Sequence, residues 1–181
     1  FEQGLGGRSG AWAGRRDEVL AQSGRLAEAV AEQLVARGEP VVIGAEQVQQ
    51  AVGTLLKIAD MQHGGFANAP KFPQPAYIDF LLDVRDASDD ATRQAIDRVV
   101  TLTLDQMLMG GIHDHVGGGF HRYSVDAYWT VPHFEKMLYD NGQLAATYTR
   151  AAEVYGSAEY RRAAVRICDY VLREMTSPGG G

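Results

Sequence analysis

Cysteine and long apolar runs are almost absent from this 181-residue sequence. Cys168 is the only cysteine, so a disulfide framework is excluded and a reducing, cytoplasmic location is favoured. The thiol lies in the largely apolar segment 165–171 of a predicted helix, which predicts a buried and unreactive side chain. No apolar run approaches the roughly 18 residues that a membrane span needs, so no membrane partner is expected.

Basic residues are also few. The 17 lysines and arginines are outnumbered by 23 aspartates and glutamates, which gives a net charge of −6. No segment is dense enough in Lys and Arg to neutralise a line of phosphates, so nucleic acid is not expected as a partner. The hydrophobic content of 45% is ordinary for a folded globular protein, so a packed core is expected.

Helical periodicity is what the sequence has in abundance, and it predicts an all-α fold with almost no strand. Ser9 and Gly38 are placed to begin and end the first helix, and Pro132 favours the first turn of the fifth. Gly156 and Ser157 separate the fifth and sixth helices into a tight hairpin. The six predicted helices span about 11–37, 48–61, 76–85, 89–109, 132–155 and 158–175.

Every second predicted helix is followed by a glycine-rich segment. The glycine pairs at 64, 118 and 179 recur at intervals of about 54 and 61 residues. Periods of this size indicate repeated helical hairpins that stack on one another to bury their apolar faces. The pattern predicts three hairpins whose glycine-rich loops open at one end of the stack, where a site would form.

The longest loop region holds four of the five histidines and reads GGIHDHVGGGFHRYSVDAYWTVPHFEKMLYDN, at positions 110–141. A second loop, at 64–75, reads GGFANAPKFPQP. Together these segments closely resemble the spermatogenesis-associated protein family, and the resemblance covers most of residues 60–145. A run such as HFEKMLYDN is highly specific, because helix formation alone does not dictate it.

That resemblance implies an architecture. In the family, a thioredoxin-like domain is followed by a six-hairpin α/α toroid similar to those of N-acylglucosamine 2-epimerases and six-hairpin glycosidases. Residues 1–10 would then be a linker from the upstream domain, and residues 11–181 the N-terminal half of the (α/α)6 toroid, with about three of its six hairpins. The thioredoxin-like domain and the second half of the toroid would be its partners.

The histidines and a carboxylate of the long loop region indicate acid/base chemistry. Imidazole titrates near neutral pH, so one group can act as base and another as acid in proton abstraction next to a carbonyl. The candidate catalytic residues are His115, His121, His133 and Glu135. Neither a metal nor another cofactor is expected, because the spacing of the histidines has no strong metal signature.

Other side chains are candidates for holding a sugar or another small polar metabolite. Phe120, Tyr123 and Trp129 would offer flat faces to sugar rings, and Arg122 would hold an oxyanion or a carboxylate. Asn141 falls in the apolar stripe of the fifth helix, so it must bond to the glycine loop or to a ligand. The substrate-binding candidates are His113, Asp114, Phe120, Arg122, Tyr123, Trp129, Tyr139, Asp140, Asn141 and Lys71.

Structural interpretations of the same residues stay open. The polar groups can instead tie the backbone of a long loop to the helix ends, and Glu135 can be a first-turn carboxylate. Lys71, between Pro70 and Pro73, can be a solvent-exposed loop lysine. The leading functional hypothesis is an epimerase-like or glycosidase-like site, and the alternative is a non-catalytic module that presents a partner or client to a thioredoxin-like redox domain.

Overall fold

The structure is a computed structural model that describes residue 12, residues 14–34 and residues 42–180. The chain divides into two compact units, residues 1–43 and 44–181. The first unit contains helix α1 (Arg16–Leu34), none of whose residues is buried. The ends predicted for this helix at Ser9 and Gly38 lie outside the described residues.

The second unit is built from five α-helices and a π-helical turn. Within the described residues every regular element is helical, and extended backbone pairs only at isolated bridges, which confirms the all-α prediction. In the same residues no helix is both long enough and apolar enough to cross a membrane. The elements are α2 (Ala45–Ile58), α3 (Pro75–Arg85), α4 (Asp90–Met109), α5 (Leu138–Tyr155), α6 (Ala158–Tyr170) and the π-helical turn Val171–Met175.

Helices α5 and α6 form the predicted hairpin, and α3 packs against both α4 and α5. Gly156 ends α5 in a left-handed conformation, with φ of 63°, and the Ser157 side chain accepts a hydrogen bond from the Tyr160 backbone N–H. The Tyr148 hydroxyl donates to the Leu104 carbonyl at 2.9 Å, which joins α5 to α4 inside the core. The largest buried non-aromatic apolar side chains of this core are Ile78, Leu81, Ile96, Leu104, Met107, Ile112, Leu144 and Ile167.

Helix α5 begins at Leu138 and not near Pro132, so that prediction is wrong. The backbone N–H of His133 donates to the Tyr123 carbonyl at 3.0 Å, and that of Arg122 donates to the Glu135 carbonyl at 2.8 Å. These bonds satisfy the backbone of the preceding loop, and this tertiary pairing overrides the local helical preference. Glu135 is therefore not a first-turn carboxylate, and both His133 and Glu135 lie in the loop before α5.

Two long loops lie side by side in the second unit. We call residues 59–74 the first glycine loop and residues 110–137 the second glycine loop. Their backbones pair where the Lys71 N–H donates to the Ser124 carbonyl at 2.8 Å and the Ser124 N–H donates back at 2.9 Å. The Trp129 indole N–H also donates to the His63 carbonyl at 2.9 Å. The first two glycine-rich segments therefore meet, whereas the repeat of three stacked hairpins stays a prediction.

Cys168 is exposed, so the prediction of a buried thiol is wrong. Helix α6 buries the face that carries Tyr160, Ala164 and Ile167. Cys168 follows Ile167 directly, and a step of one residue turns the side chain by about 100° around a helix. That rotation carries the thiol out of the buried face, although its neighbours in the sequence are apolar.

Candidate functional site

Lys71 is fully buried, so the interpretation as a solvent-exposed loop lysine is wrong. Its ammonium group donates to Asp60 Oδ2 at 2.6 Å, to the Gly64 carbonyl at 2.9 Å and to the Ala127 carbonyl at 2.9 Å. It also lies 5.4 Å from the ring centroid of Trp129. An ammonium group has three donors, and all three are used. Lys71 therefore ties the two glycine loops together and has no donor left for a substrate.

Two of the three aromatic side chains expected to contact sugar rings are inaccessible. Trp129 and Phe120 are fully buried. The Phe120 ring stacks between His113, at a centroid distance of 4.9 Å, and Tyr148, at 5.5 Å. These two rings are core residues of the second glycine loop, and Tyr123 alone of the three retains an accessible surface.

Asn141 is buried and bonds to the second glycine loop, as its place in the apolar stripe predicted. Its Oδ1 accepts from the Phe120 backbone N–H at 2.7 Å. Its Nδ2 donates to the carbonyl oxygens of Phe120 and Met137, each at 3.0 Å. The side chain thus pairs with the loop as a neighbouring strand would, and it fastens the loop to the start of α5.

Asp114 was expected to contact substrate, but the structure gives it protein partners. Its carboxylate accepts from the Lys136 ammonium at 2.7 Å and from the backbone N–H groups of Val116 and Gly117 at 2.9 and 2.7 Å. The Lys136 cation and these bonds hold the pKa of Asp114 well below its ordinary value. Lys136 also donates to the Gly118 carbonyl at 2.8 Å. Sequence reasoning missed this role of Lys136, which no local pattern signals.

The four histidines of the second glycine loop do not converge on one point. The rings of His113 and His115 lie 4.7 Å apart, and His115 Nε2 is 3.0 Å from the Gly110 carbonyl oxygen. His121 packs edge-on against Phe134 with the ring centroids 5.4 Å apart. His133 stacks on Tyr123 at a centroid distance of 4.7 Å. The predicted constellation is thus divided into separate groups.

One of these groups combines carboxylates with a cation. Arg122 Nη1 lies 3.5 Å from Glu135 Oε2, and His133 Nδ1 lies 3.6 Å from the same oxygen. The guanidinium carbon of Arg122 lies 5.9 Å from the ring centroid of Tyr139. The hydrogen bond from the Arg122 backbone N–H to the Glu135 carbonyl keeps these two residues next to each other. We call this group the Arg122 cluster, and its members are Arg122, Tyr123, His133, Glu135, Tyr139 and Asp140.

Asp140 is the member of the Arg122 cluster with the most unusual environment. Its Oδ2 is buried and has no hydrogen-bond partner among the described residues. Burial raises the pKa of this carboxyl group, and the Glu135 charge adds to the effect while the Arg122 charge opposes it. A carboxyl group with a raised pKa holds its proton closer to neutral pH, which is what a general acid requires.

His121 lies beside a different pair of charges. Burial lowers the pKa of its imidazole, and the nearby Lys136 cation adds to the effect while Asp114 opposes it. Its Nδ1 is buried without a partner among the described residues. The ring is therefore held neutral, with one nitrogen available to a further donor or acceptor.

Metal binding receives no support from the arrangement of the described side chains. Across residues 14–34 and 42–180, no three His, Cys, Asp or Glu side chains are placed to share a metal ion. The carboxyl, imidazole and guanidinium groups of the Arg122 cluster are themselves capable of proton transfer and hydrogen bonding.

Comparison with known proteins identifies relatives of this chain. No protein-family model matches the chain. Over 94% of its length the chain is 38% identical to spermatogenesis-associated protein 20 of Mus musculus and 39% identical to that of Homo sapiens. A Caenorhabditis elegans protein described as uncharacterized is 53% identical over 92 residues, which is half of this chain and 12% of that protein. The chain spans 22% of the length of the two mammalian relatives, and these similarities support the family that the loop motifs indicate.

Proposed function

We propose that the Arg122 cluster is part of a binding site for a carbohydrate or another small polyhydroxylated metabolite, with acid/base chemistry of the epimerase or glycosidase type. The observation that carries the proposal is the environment of Asp140. This carboxyl group has a raised pKa and a buried Oδ2 without a partner among the described residues, and the charges of the Arg122–Glu135 pair act on it. Asp140 would give up a proton, and Glu135 or His133 would receive one. Proton transfer by two such groups is the core of both reaction types.

The charge balance of the Arg122 cluster favours neutral or amine-bearing substrates over carboxylates. The cluster has one guanidinium group and two carboxyl groups. Glu135 Oε2 lies 3.5 Å from Arg122 Nη1, and the charges of both residues act on the pKa of Asp140. Arg122 is therefore already paired and has little attraction left for a substrate carboxylate. Hydroxyl and amine groups, in contrast, can donate to the carboxylate oxygens.

Aromatic rings beside the cluster supply a surface for a sugar ring. Tyr123 packs against His133, at a centroid distance of 4.7 Å, and against Phe72, at 4.8 Å. The three rings form a short stack that joins the first glycine loop to the second. The apolar face of a pyranose packs well on surfaces of this kind, while its hydroxyl groups reach neighbouring polar atoms.

The wider architecture belongs to the same proposal. Residues 11–181 would form the N-terminal half of an α/α toroid, and residues 1–10 would lead into it from a thioredoxin-like domain. The remaining hairpins would then enclose the Arg122 cluster from the other side. Support comes from the two hairpin pairs α3–α4 and α5–α6 and from the meeting of the glycine loops beside them.

A second candidate is an interaction module that presents a protein partner or client to the redox domain. Apolar side chains around the Arg122 cluster favour it, since Phe134 is 83% exposed and Val131 and Leu138 are also exposed. Exposed apolar surface of this kind is typical of protein–protein contact sites. Binding of a protein without turnover of any sugar would distinguish the module from the enzyme.

The proposed enzyme is tested by incubating the protein with a panel of aldoses, ketoses, N-acetylated amino sugars and aryl glycosides. Products are separated by chromatography, and deuterium incorporation from heavy water reports proton abstraction. Asp140→Asn is expected to abolish turnover while the melting temperature is kept. Asp169→Asn, which removes an exposed carboxylate of α6, is the matched control and should leave turnover intact. Undiminished turnover in Asp140→Asn would contradict the proposal.

The free energy of unfolding of two variants tests whether the Arg122 cluster serves function or only holds the loop in place. Asn141→Ala should lower the free energy of unfolding by about 1–3 kcal/mol, because it leaves buried loop groups without partners. Glu135→Ala should change it little, since the Glu135 side chain is 40% exposed and its pairs are screened by water. Urea denaturation of both variants measures these changes in the free energy of unfolding. If Glu135→Ala is as damaging as Asn141→Ala, the Arg122 cluster is a structural tie and the interaction module is favoured.

A further inference from the structure

A depression separate from the Arg122 cluster lies between the end of α4, the second glycine loop and α6. We infer that this depression binds a small anion that also carries an O–H group, such as hydrogen phosphate or a hydroxycarboxylate. It has no residue in common with the Arg122 cluster, so the inference does not depend on the proposed function. The side chains that line it include Met109, His113, His115, Glu159, Arg162 and Arg166.

Positive charge comes from one face of α6. Arg162 and Arg166 are four residues apart, so they lie on neighbouring turns of the same helical face. Among the described residues, neither guanidinium forms an ion pair with a carboxylate. Arg166 Nη2 donates to the His115 carbonyl at 2.6 Å, which positions its guanidinium at the loop. Glu159 is the one carboxylate at the rim, so the depression carries a net positive charge.

His113 in the wall of the depression adds a specific requirement. The residue is only 4% exposed, and its Nδ1 lies 3.0 Å from the Leu108 carbonyl oxygen. A carbonyl can only accept, so Nδ1 carries the hydrogen and Nε2 presents a lone pair. Nε2 is buried and has no hydrogen-bond partner among the described residues. A molecule that pairs with Nε2 must therefore bring a donor.

The protonation state of His113 strengthens this requirement. Burial lowers the pKa of His113 to about 4, and the Arg166 and His115 charges act in the same direction. The ring is thus neutral at pH 7, and Nε2 remains an acceptor. A simple anion without hydrogen would satisfy the arginines but would place its oxygens against the Nε2 lone pair. An anion with a hydroxyl hydrogen satisfies both sides of the depression.

Two pairs of anions test this chemistry at equal charge. At pH 7.5, hydrogen phosphate and sulfate are both largely dianions, but only hydrogen phosphate has an O–H group. Glycolate and acetate form the same contrast among carboxylates. Binding to the ¹⁵N-labelled chain is measured by NMR titration at low salt, because added salt screens the attraction. The ring nitrogens of His113 are followed together with the backbone amides of α6.

Hydrogen phosphate and glycolate are expected to bind at least about tenfold more tightly than sulfate and acetate, the ratio that one good hydrogen bond supplies. The His113 Nε2 resonance should move only with the two O–H-bearing probes. Stronger binding of glycolate than of hydrogen phosphate would assign the site to hydroxycarboxylates, and the reverse to phosphate groups. Equal binding within both pairs, or no binding of any probe, would overturn the inference.

Three substitutions locate the site. Arg162→Gln should weaken hydrogen phosphate binding by about tenfold. Arg161→Gln is the control, because it removes the same charge from the adjacent residue, which lines a different groove. This control should have little effect on binding. His113→Asn keeps a donor for the Leu108 carbonyl and removes Nε2, so it should erase the preference for hydrogen phosphate over sulfate. If this variant does not fold, two other measurements still test the inference. They are the comparison of Arg162→Gln with Arg161→Gln and the movement of the His113 resonances in the unsubstituted chain. Equal weakening by Arg161→Gln and Arg162→Gln would contradict the assigned depression.

Discussion

Polar residues in and beside the two glycine loops differ in whether the protein already satisfies their hydrogen-bonding atoms. Lys71 and Asn141 use every donor and acceptor that they have on neighbouring protein groups. Asp140 and His113, in contrast, each keep one buried atom without a partner among the described residues. A buried polar atom that lacks a partner costs free energy, so such atoms require an explanation, and a ligand is one. The two proposals rest on residues of this second kind.

Replacing Lys71 by Met tests the assignment of this residue as a structural tie. The substitution leaves the Asp60 carboxylate and two loop carbonyls without their shared donor. The pair is partly buried, since the Lys71 side chain is inaccessible and the Asp60 side chain is 21% exposed, so removing Lys71 is expected to lower the free energy of unfolding by about 3 kcal/mol. Urea denaturation measures this loss. Lys57→Met, at an exposed position of α2, is the control, and equally small effects of both substitutions would contradict the tie.

Acidification from pH 7 to pH 5 is expected to destabilise the protein through His113. Its pKa falls from an ordinary 6.5 to about 4 in the folded state, so between these values the unfolded chain binds more protons. The stability contributed by the neutral ring is complete above pH 6.5 and is lost as the pH falls toward 4. The expected loss between pH 7 and 5 is about 2 kcal/mol. The raised pKa of Asp140 acts in the opposite direction, because that carboxyl favours the folded state when protonated.

Urea midpoints at the two pH values measure this effect. The same series on His113→Asn provides the comparison, because this variant keeps the Leu108 bond and has no titrating ring. Its stability should change much less between pH 7 and 5. An unchanged loss in the variant would assign the acid sensitivity to other groups, of which His121 is the first candidate because its pKa is also lowered.

At the scale of the structural elements, the second glycine loop depends on close packing. Gly119 has φ of +75°, and a Cβ added there would lie 2.5 Å from Tyr170 Cδ1 and 3.0 Å from Asn141 Oδ1. Gly156, at the end of α5, also has a positive φ, of +63°, but an added Cβ would meet no heavy atom within 4 Å. The two glycines therefore share a backbone requirement and differ in the space around them.

Alanine at these two positions should show that difference. Gly156→Ala is expected to lower the free energy of unfolding by about 1–2 kcal/mol, the cost of a left-handed non-glycine residue. Gly119→Ala adds a steric clash with Tyr170, and the combined loss is expected to be about 3 kcal/mol or more. Thermal and urea denaturation of the two variants measures this. Equal losses would show that the loop can move away from α6 and the π-helical turn without cost.

At the scale of the whole molecule, the exposed apolar side chains predict association of this chain with itself. Val116 is 98% exposed, and Phe134 and Leu172 are also exposed in the second unit. A net charge of −6 on 181 residues gives only modest repulsion between copies. Sedimentation velocity should therefore show concentration-dependent association, which added salt strengthens by screening that repulsion. A strictly monomeric chain at high concentration would argue against the half-toroid architecture.

Metal removal is expected to leave the whole molecule unchanged. Treatment with a chelator should alter neither the melting temperature nor ligand binding, because the proposed chemistry uses carboxyl and imidazole groups alone. The measurement is differential scanning calorimetry before and after dialysis against the chelator, together with metal analysis of the purified protein. Zinc retained in a one-to-one ratio, and lost in a His115→Ala variant, would contradict this prediction.

Local sequence signals were sufficient for the helical class and for most helix ends. The α5–α6 hairpin was predictable because Gly156 and Ser157 act within their own turn of chain, and α4 because its apolar periodicity extends over 20 residues. The burial of Asn141 was also predictable, since the positions of its apolar neighbours on the same helix determine its direction. The loop motifs indicated a family, because a specific run of residues in a loop is not required by helix formation.

Only the tertiary structure decided which loop residues are buried and which polar groups meet. Lys71 is buried because Asp60, earlier in the same loop, and Ala127, in the other glycine loop, supply its acceptors. Residues 132–137 stay out of α5 because residues 122 and 123 pair with their backbone. The cluster of Arg122 with Glu135 and Asp140, and the approach of His113 to Arg166, depend on the same long-range packing. Spacing along the chain cannot predict such contacts, since they depend on how each loop folds back on itself and packs against other elements.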